Sequence, residues 1–260
     1  MAPLEGLLGL LPASPARMPR VEIRDSSNSS TVRPTLFALA ALLACRGMSA
    51  PAPDPDPMQL QQYLEARANE ETLISPTRRA LLGELAEAVR SSLAGGEAQL
   101  TFICTHNSRR SQMGQVWARI AAAHHGIEGV STFSGGTEAT AFNPRAVAAL
   151  ERTGLGIEAD GSADNPRYSV AWSAGTEALT CWSKTWQDDA NPGQDFIAVM
   201  TCSDADEACP FVPGAAHRIA LTYEDPKEFD GTDREARAYD ERSEQIAREL
   251  LYAFRLVREG

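Results

Sequence analysis

The chain has 260 residues, of which 43% are hydrophobic and 23% charged, a composition typical of a globular protein with enough apolar material for a core. Its formal net charge is −11, because 35 aspartates and glutamates outnumber 24 lysines and arginines. Such acidity argues against non-specific nucleic-acid binding and against a polybasic membrane surface, but it allows a local positive pocket for a small anion. Five cysteines are too few, and odd in number, for the disulfide framework of a small secreted protein.

Residues 1–57 are predicted to be a disordered linker or a signal segment, since they hold nine of the 16 prolines and end in PAPDPDP. One run within them, Thr35–Cys45, is apolar. It is too short to span a bilayer but has the length of a signal-peptide core, and its end resembles a lipoprotein cleavage site. The alternative is that translation starts at Met48 or Met58. The run therefore leaves two expectations open: a cytoplasmic protein, or one that is exported or lipid-anchored.

Residues 58–98 are predicted to form a helical hairpin. The first helix spans Met58–Asn69. The second begins after Ser75, an N-cap residue followed by Pro76 at the first helical position, and leucines then recur at helical spacing until Gly95.

From residue 99 to residue 260 the pattern predicts an α/β domain. The predicted strands are Gln99–Cys104, Gly129–Ser134, Phe196–Cys202 and His217–Thr222, and the predicted helices are Ser111–His125, Pro144–Thr153 and Thr232–Val257. This alternation favours a small parallel sheet of about four strands with helices on both faces. Tyr168–Trp172 and Ala178–Trp182 are expected to form an additional hairpin. Ligands of such sheets bind beyond the carboxyl ends of the strands, which draws attention to Cys104 and Cys202.

The first candidate site is the segment Cys104–Ser111, CTHNSRRS, between a predicted strand and a predicted helix. Amides at a helix N-terminus bind anions, and Arg110 can contact two oxygens of a tetrahedral oxyanion. The same positive field favours the thiolate of Cys104, to which Ser111 can donate a hydrogen bond, while Asn107 is suited to fix the loop. The alternative interpretation is a buried structural cysteine.

This segment resembles the active-site loop of the low-molecular-weight protein tyrosine phosphatase fold. Within that fold it is similar to the thioredoxin-coupled arsenate reductases, whose loop typically has the sequence CTGNSCRSQ. The matching residues are Cys104, Thr105, Asn107, Ser108, Arg110, Ser111 and Gln112. The sequence departs from the pattern at His106, where the family has glycine, and at Arg109, where it has cysteine. The likeness extends from about residue 99 to residue 256 and includes the SGGTEA segment at 134–139.

The resemblance implies roles for the loop residues. Cys104 would be the nucleophile, and Arg110 would hold the oxyanion. The residues implied in substrate binding are Thr105, His106, Asn107, Ser108, Arg109 and Ser111.

The second candidate site is the pair Cys202 and Cys209, which follows another predicted strand and precedes Pro210. One alternative is a zinc site, but no second Cys/His pair lies at ligand spacing. Another is a pair of structural cysteines. The pair resembles the resolving cysteines of the arsenate reductases, which have the same six-residue gap. That resemblance implies a redox pair on a mobile segment.

The third candidate is Asp225, in the dipeptide Asp225-Pro226. Taken alone it indicates a simple turn. Its place in the motif order resembles the Asp-Pro loop of the family, which implies that Asp225 protonates the leaving group. Asp230 is the nearby alternative.

Together these features predict an arsenate reductase that uses Cys104, Cys202 and Cys209, with no bound cofactor or metal and with thioredoxin as reductant and partner. Its expected substrate is a small oxyanion. The first alternative is a phosphatase that hydrolyses phosphotyrosine or another phosphomonoester through a phosphocysteine. The second is a non-catalytic oxyanion or redox sensor. Reduction by thioredoxin favours a cytoplasmic location.

Overall fold

A computed structural model describes residues 54–260. The predicted signal or linker segment, including Thr35–Cys45, lies outside the described residues except for its last four positions. Pro57, assigned to the linker from the sequence, is instead the first residue of a helix. Asp56 caps that helix by accepting hydrogen bonds from the amides of Met58 and Gln59 at 3.1 and 3.0 Å.

The helices are α1 (Pro57–Ala68), α2 (Pro76–Ala94), α3 (Arg110–His124), α4 (Pro144–Glu151), α5 (Ser203–Ala208) and α6 (Glu235–Glu259). The strands are β1 (Ala98–Cys104), β2 (Val130–Gly136), β3 (Gly156–Ala159), β4 (Tyr168–Ala171), β5 (Leu179–Cys181), β6 (Phe196–Met200) and β7 (Ala215–Ala220). Single 3₁₀ turns lie at Glu71–Leu73 and Pro226–Phe229.

The main sheet has the order β2-β1-β6-β7, with all neighbours parallel, which confirms the predicted four-stranded α/β architecture. Every residue of β6 is buried, as expected for an inner strand covered on both faces. β1 and β6 lie side by side, so their carboxyl ends place Cys104 and Cys202 at the same edge of the sheet. A second sheet contains the antiparallel strands β3-β4-β5. It confirms the predicted hairpin and adds β3, whose four residues are too few to show a pattern.

Helices α1 and α2 share one hydrophobic core with the main sheet. Leu60 of α1, Leu85 of α2 and Phe254 of α6 belong to the same buried cluster as Phe102 of β1. Tyr63 of α1 stacks on the ring of Trp117 in α3, with 5.2 Å between the ring centres. The ion pairs that join this N-terminal part to α6 are Arg67–Glu244, Glu70–Arg248, Glu71–Arg255 and Arg78–Glu249.

The segment between Cys202 and Cys209, which the sequence did not predict to be regular, forms the short helix α5 in this structure. Cys202 is its N-cap, and the Sγ atom accepts a hydrogen bond from the amide of Ala205 at 3.4 Å. The carboxylates of Asp204 and Asp206 in the first turn interact favourably with the positive N-terminal end of the helix dipole. Only Ala205 of α5 is buried, so the sequence has no hydrophobic periodicity that would predict this helix.

None of the helices described between residues 54 and 260 combines the length and the apolarity needed to cross a bilayer.

Candidate active site

Cys104 is the last residue of β1 and opens a short loop that ends where α3 begins at Arg110. Its side chain is buried, and Sγ lies 3.0 Å from Oγ of Ser111. Asn107 donates a hydrogen bond from Nδ2 to the same Oγ atom at 2.9 Å. Because Ser111 accepts from Asn107, its hydroxyl proton is free to point to the sulfur. The loop therefore has a built-in donor for a thiolate on Cys104.

Asn107 is the conformational centre of the loop. It adopts a left-handed backbone with φ +46°, a conformation that asparagine tolerates better than most residues. Its Oδ1 accepts hydrogen bonds from the amide of Lys184 at 2.8 Å and from Nε2 of Gln112 at 3.2 Å. His106, where the family has glycine, does not adopt a positive φ. The histidine therefore enters the loop without backbone strain.

Gly136, at the end of β2, allows the loop to approach the sheet closely. A Cβ atom at this position would lie 2.7 Å from the carbonyl oxygen of Thr105 and 2.8 Å from the amide nitrogen of Asn107. Both atoms belong to the backbone and cannot move aside independently. Gly136, the second glycine of the SGGTEA segment, is thus required sterically for the loop to lie this close to β2.

The segment Trp182–Trp186 forms a wall against the loop that the sequence analysis did not assign to the site. Oγ of Ser183 donates to the carbonyl of His106 at 3.0 Å. The carbonyl of Trp182 accepts a hydrogen bond from Nε2 of Gln112 at 2.9 Å, and Thr185 forms an isolated parallel bridge with Gly136. Most of these contacts use backbone atoms, and all of them join residues that are distant in sequence. A sequence pattern does not report such contacts, so the tryptophans were the only residues of this stretch that drew attention to it.

Lys184 in this wall is buried, with only 3% of its surface exposed. Burial lowers the pKa of its ammonium group to about 8. The Nζ atom lies 4.1 Å from the centre of the Trp182 ring, which also receives the guanidinium of Arg167 at 4.1 Å. Burial likewise raises the pKa of the neighbouring Cys181 thiol to about 12.

We expect Lys184→Met to stabilise the protein at pH 7 by up to roughly 3 kcal/mol. The folded protein binds the Lys184 proton less tightly than the unfolded chain does, so the charged side chain is a penalty below pH 8. That penalty is relieved as the pH rises toward the ordinary lysine value of 10.5. Urea unfolding of both proteins at pH 7 and pH 10 measures the effect. A stabilisation of the variant that is equal at both pH values would contradict this origin.

The Arg110 guanidinium contacts the Asp225 loop in this structure. Its Nη2 atom lies 2.8 Å from Oδ2 of Asp225, and its Nη1 donates to the carbonyl of Tyr223 at 2.9 Å. Arg109 approaches the same carboxylate, with 2.9 Å between its Nε and Oδ1. An incoming oxyanion must therefore take over contacts that Asp225 makes here.

The alternative acid, Asp230, is engaged elsewhere. It accepts a hydrogen bond from the hydroxyl of Tyr239 at 2.8 Å. Asp225, by contrast, caps the 3₁₀ turn by accepting from the amide of Lys227 at 3.1 Å, and it faces both loop arginines. The geometry thus favours Asp225 over Asp230.

The second cysteine pair lies beside the loop. Cys202 is fully buried, and its Sγ atom is 3.5 Å from Oγ1 of Thr105. Cys104 and Cys202 belong to one apolar cluster, against which the partly buried Cys209 packs. All three are free thiols. The structure therefore brings together the three cysteines singled out in the sequence.

The other loop residues implied in substrate binding point in different directions. Oγ of Ser108 donates to the carbonyl of Ala141 at 2.7 Å, and Thr105 contacts Cys202. The His106 side chain is partly exposed, with Nε2 3.9 Å from Oε2 of Glu138. The side chains of Ser108 and Thr105 thus contact neighbouring protein atoms in this structure.

Residues 99–171 match the family model for low molecular weight phosphotyrosine protein phosphatases. An arsenate reductase from Bacillus licheniformis is 30% identical over 152 residues, which are 56% of this chain and 91% of the relative. An arsenate reductase from Bacillus subtilis is 30% identical over 141 residues, 54% of this chain and 83% of the relative. A solved low molecular weight protein tyrosine phosphatase from T. tengcongensis gives a TM-score of 0.41 at 16% identity, covering 60% of this chain and 97% of its own.

The match to the family model agrees with the 30% identity to relatives that the chain covers over 91% and 83% of their own length. The chain belongs to the low molecular weight phosphotyrosine protein phosphatase superfamily, with arsenate reductases among its relatives.

Proposed function

We propose that the protein is an arsenate reductase whose electrons come from its own cysteines and then from thioredoxin. The observation that supports this most strongly is the position of Cys202. Its side chain is buried, its Sγ atom lies 3.5 Å from Oγ1 of Thr105, and it belongs to the same apolar cluster as Cys104. A phosphatase reaction has no use for a second thiol at that place. The names of the similar relatives point to the same chemistry.

Binding begins when arsenate enters the loop amides at the N-terminus of α3. Arg110 exchanges the Asp225 carboxylate for two oxygens of the oxyanion. The negative charge of arsenate replaces the Asp225 carboxylate as the partner of the Arg110 guanidinium. Asp225 is then next to the oxygen that must depart.

The Cys104 thiolate attacks arsenic, an As–S bond forms, and the As–O bond to a hydroxyl group of arsenate breaks; that hydroxyl leaves as water after it takes the proton of the Asp225 carboxylic acid. The Cys202 thiolate then attacks Sγ of Cys104. The electron pair of the As–S bond stays on arsenic, which becomes arsenite, and a Cys104–Cys202 disulfide forms. Cys209 next attacks Cys202 and releases the Cys104 thiolate. Two thiols are oxidised as As(V) becomes As(III), and thioredoxin reduces the resulting disulfide.

The last exchange requires α5 to unwind. Cys202 and Cys209 cap its two ends. At the helical rise of about 1.5 Å per residue, the seven positions between them separate their Cα atoms by about 10 Å. A disulfide needs Cα atoms within about 7 Å. Arg218 of β7 holds the helix closed by donating to the carbonyls of Asp206 and Cys209 at 2.8 and 3.1 Å. Unwinding would release these contacts and expose the disulfide to a reductant.

The test is NADPH consumption with thioredoxin, thioredoxin reductase and arsenate. We expect Cys202→Ser to abolish arsenate-dependent consumption, while hydrolysis of 4-nitrophenyl phosphate stays within about twofold of the wild type. Cys181→Ala, a buried cysteine outside the apolar cluster of Cys104, serves as the matched control and should retain both activities. Undiminished arsenate turnover in Cys202→Ser would refute the relay.

A phosphatase is the second candidate, because Cys104, Arg110 and Asp225 suffice for hydrolysis through a phosphocysteine. Ester hydrolysis without arsenate-dependent NADPH consumption would establish it in place of the reductase. A non-catalytic sensor needs no acid, so unchanged turnover in Asp225→Asn would remove the role proposed for that residue.

Because thioredoxin works in a reducing compartment, we propose that the protein is located in the cytoplasm.

A further inference from the structure

The Asp225 carboxylate is held by two guanidinium groups. Arg110 contacts Oδ2 at 2.8 Å, and Arg109 lies 2.9 Å from Oδ1 through Nε and 3.4 Å from Oδ2 through Nη2. Both arginine side chains are about nine-tenths buried, with exposed fractions of 10% and 11%. Arg110 makes a short charge-assisted hydrogen bond to the carboxylate, whereas Arg109 forms a buried ion pair through Nε, outside hydrogen-bond geometry, and a longer hydrogen bond through Nη2.

The two arginines are not equivalent in what they can do next. Arg110 must leave the carboxylate when an oxyanion enters the loop. Arg109 approaches the carboxylate with two of its nitrogens, so its guanidinium faces Asp225. Once Arg110 has turned to the oxyanion, Arg109 is the guanidinium that still restrains Asp225.

We propose that Arg109 is a positioning residue that keeps Asp225 over the leaving oxygen while Arg110 binds the oxyanion. This inference rests on the proposed function, in which Asp225 is the acid. The arsenate reductase loop pattern has cysteine at this position, so the second anchor is a feature of this chain. Through Arg109 the loop that binds the anion also sets the place of the acid that acts on it.

The leaving group separates this role from a purely structural one. Phenolate is a basic leaving group and depends on protonation, whereas 4-nitrophenolate depends on it much less. We expect Arg109→Gln to lower kcat for phenyl phosphate by about 10- to 100-fold and kcat for 4-nitrophenyl phosphate by less than about threefold, with KM within about twofold. Arg109→Lys should recover part of the loss. Arg119→Gln, also on the α3 segment but packed on Trp172, is the control and should behave as the wild type.

A double-mutant cycle with Asp225→Asn completes the test. In that background Arg109→Gln should cause no further loss, both with phenyl phosphate and in the arsenate-coupled assay, so the result does not depend on phosphatase activity. A further loss of the full size, or an equal loss for both esters, would make the role of Arg109 structural and overturn the inference. A raised KM with unchanged kcat would place its guanidinium on the oxyanion and overturn it as well.

Failure of the proposed function has a different signature. An Asp225→Asn variant with wild-type kcat for phenyl phosphate and for arsenate would remove the acid itself, and the positioning role with it. An impaired Asp225→Asn beside a fully active Arg109→Gln would refute the Arg109 inference alone.

Discussion

Replacing Cys104 by serine is expected to lower both arsenate-dependent NADPH consumption and aryl phosphate hydrolysis by about 10⁴-fold or more. The serine hydroxyl is not ionised at neutral pH, so the donor from Ser111 and the positive helix end have no anion to stabilise. Serine also cannot form the disulfide with Cys202 that releases arsenite. Steady-state assays of both reactions, together with calorimetric titration of inorganic phosphate, measure the effect.

Phosphate binding is the control that distinguishes chemistry from folding. The loop amides and Arg110 are untouched by Cys104→Ser, so the dissociation constant should stay within about threefold of the wild-type value. Cys209→Ser should lose arsenate turnover but keep ester hydrolysis. Turnover of either substrate by Cys104→Ser at more than one per cent of the wild-type rate would mean that another group is the nucleophile.

Adding a single methyl group at Gly136 is expected to lower turnover by about 10²- to 10³-fold. The new Cβ would meet backbone atoms of Thr105, Asn107 and Glu138 at 2.7, 2.8 and 2.1 Å, so the loop must move away from β2. A displacement near 1 Å misaligns the amides that hold the oxyanion. The overpacking should also lower the free energy of unfolding by about 1–3 kcal/mol. Ester hydrolysis and urea unfolding of Gly136→Ala test both expectations.

Gly83→Ala is the matched control for this substitution. A Cβ at Gly83, in helix α2, meets no atom within 4 Å. The change should therefore leave turnover unaltered and raise the free energy of unfolding by about 0.5–1 kcal/mol, since alanine is the better helix former. Normal phosphate affinity in Gly136→Ala would show that the loop accommodates the methyl group, contrary to the geometry described.

Local patterns were sufficient to predict the main sheet and the loop. The strand before Cys104 is short and mostly apolar, with a helix after it, and this alone predicts the edge of the sheet at which the candidate site lies. The hydrogen bond between Cys104 and Ser111 also follows from position, because the first turn of α3 brings the hydroxyl back to the strand end. In these cases the determining contacts are only a few residues apart.

The other features depend on residues that are far apart in sequence. Ser183 and the amide of Lys184 support the loop from 77 residues away. The pairing of Arg109 and Arg110 with Asp225 spans more than a hundred positions and follows no spacing rule. Helix α5 was missed because a six-residue helix with one buried side chain has no period to detect. Sequence patterns show which side chains along one helix or strand are buried. They do not show contacts between elements that are far apart in the chain.

The junction of α1 and α2 with α6 bears on how the protein unfolds. Leu60, Leu85 and Phe254 share a core with Phe102 of the central strand, and ion pairs such as Glu70–Arg248 lie across the same junction. Losing α1 or α2 would leave the apolar stripe of α6 in water, at about 25 cal/mol for each Å² uncovered. These helices and the main sheet therefore form one cooperative unit, in which melting of the N-terminal helices and unfolding of the loop between β1 and α3 belong to a single transition.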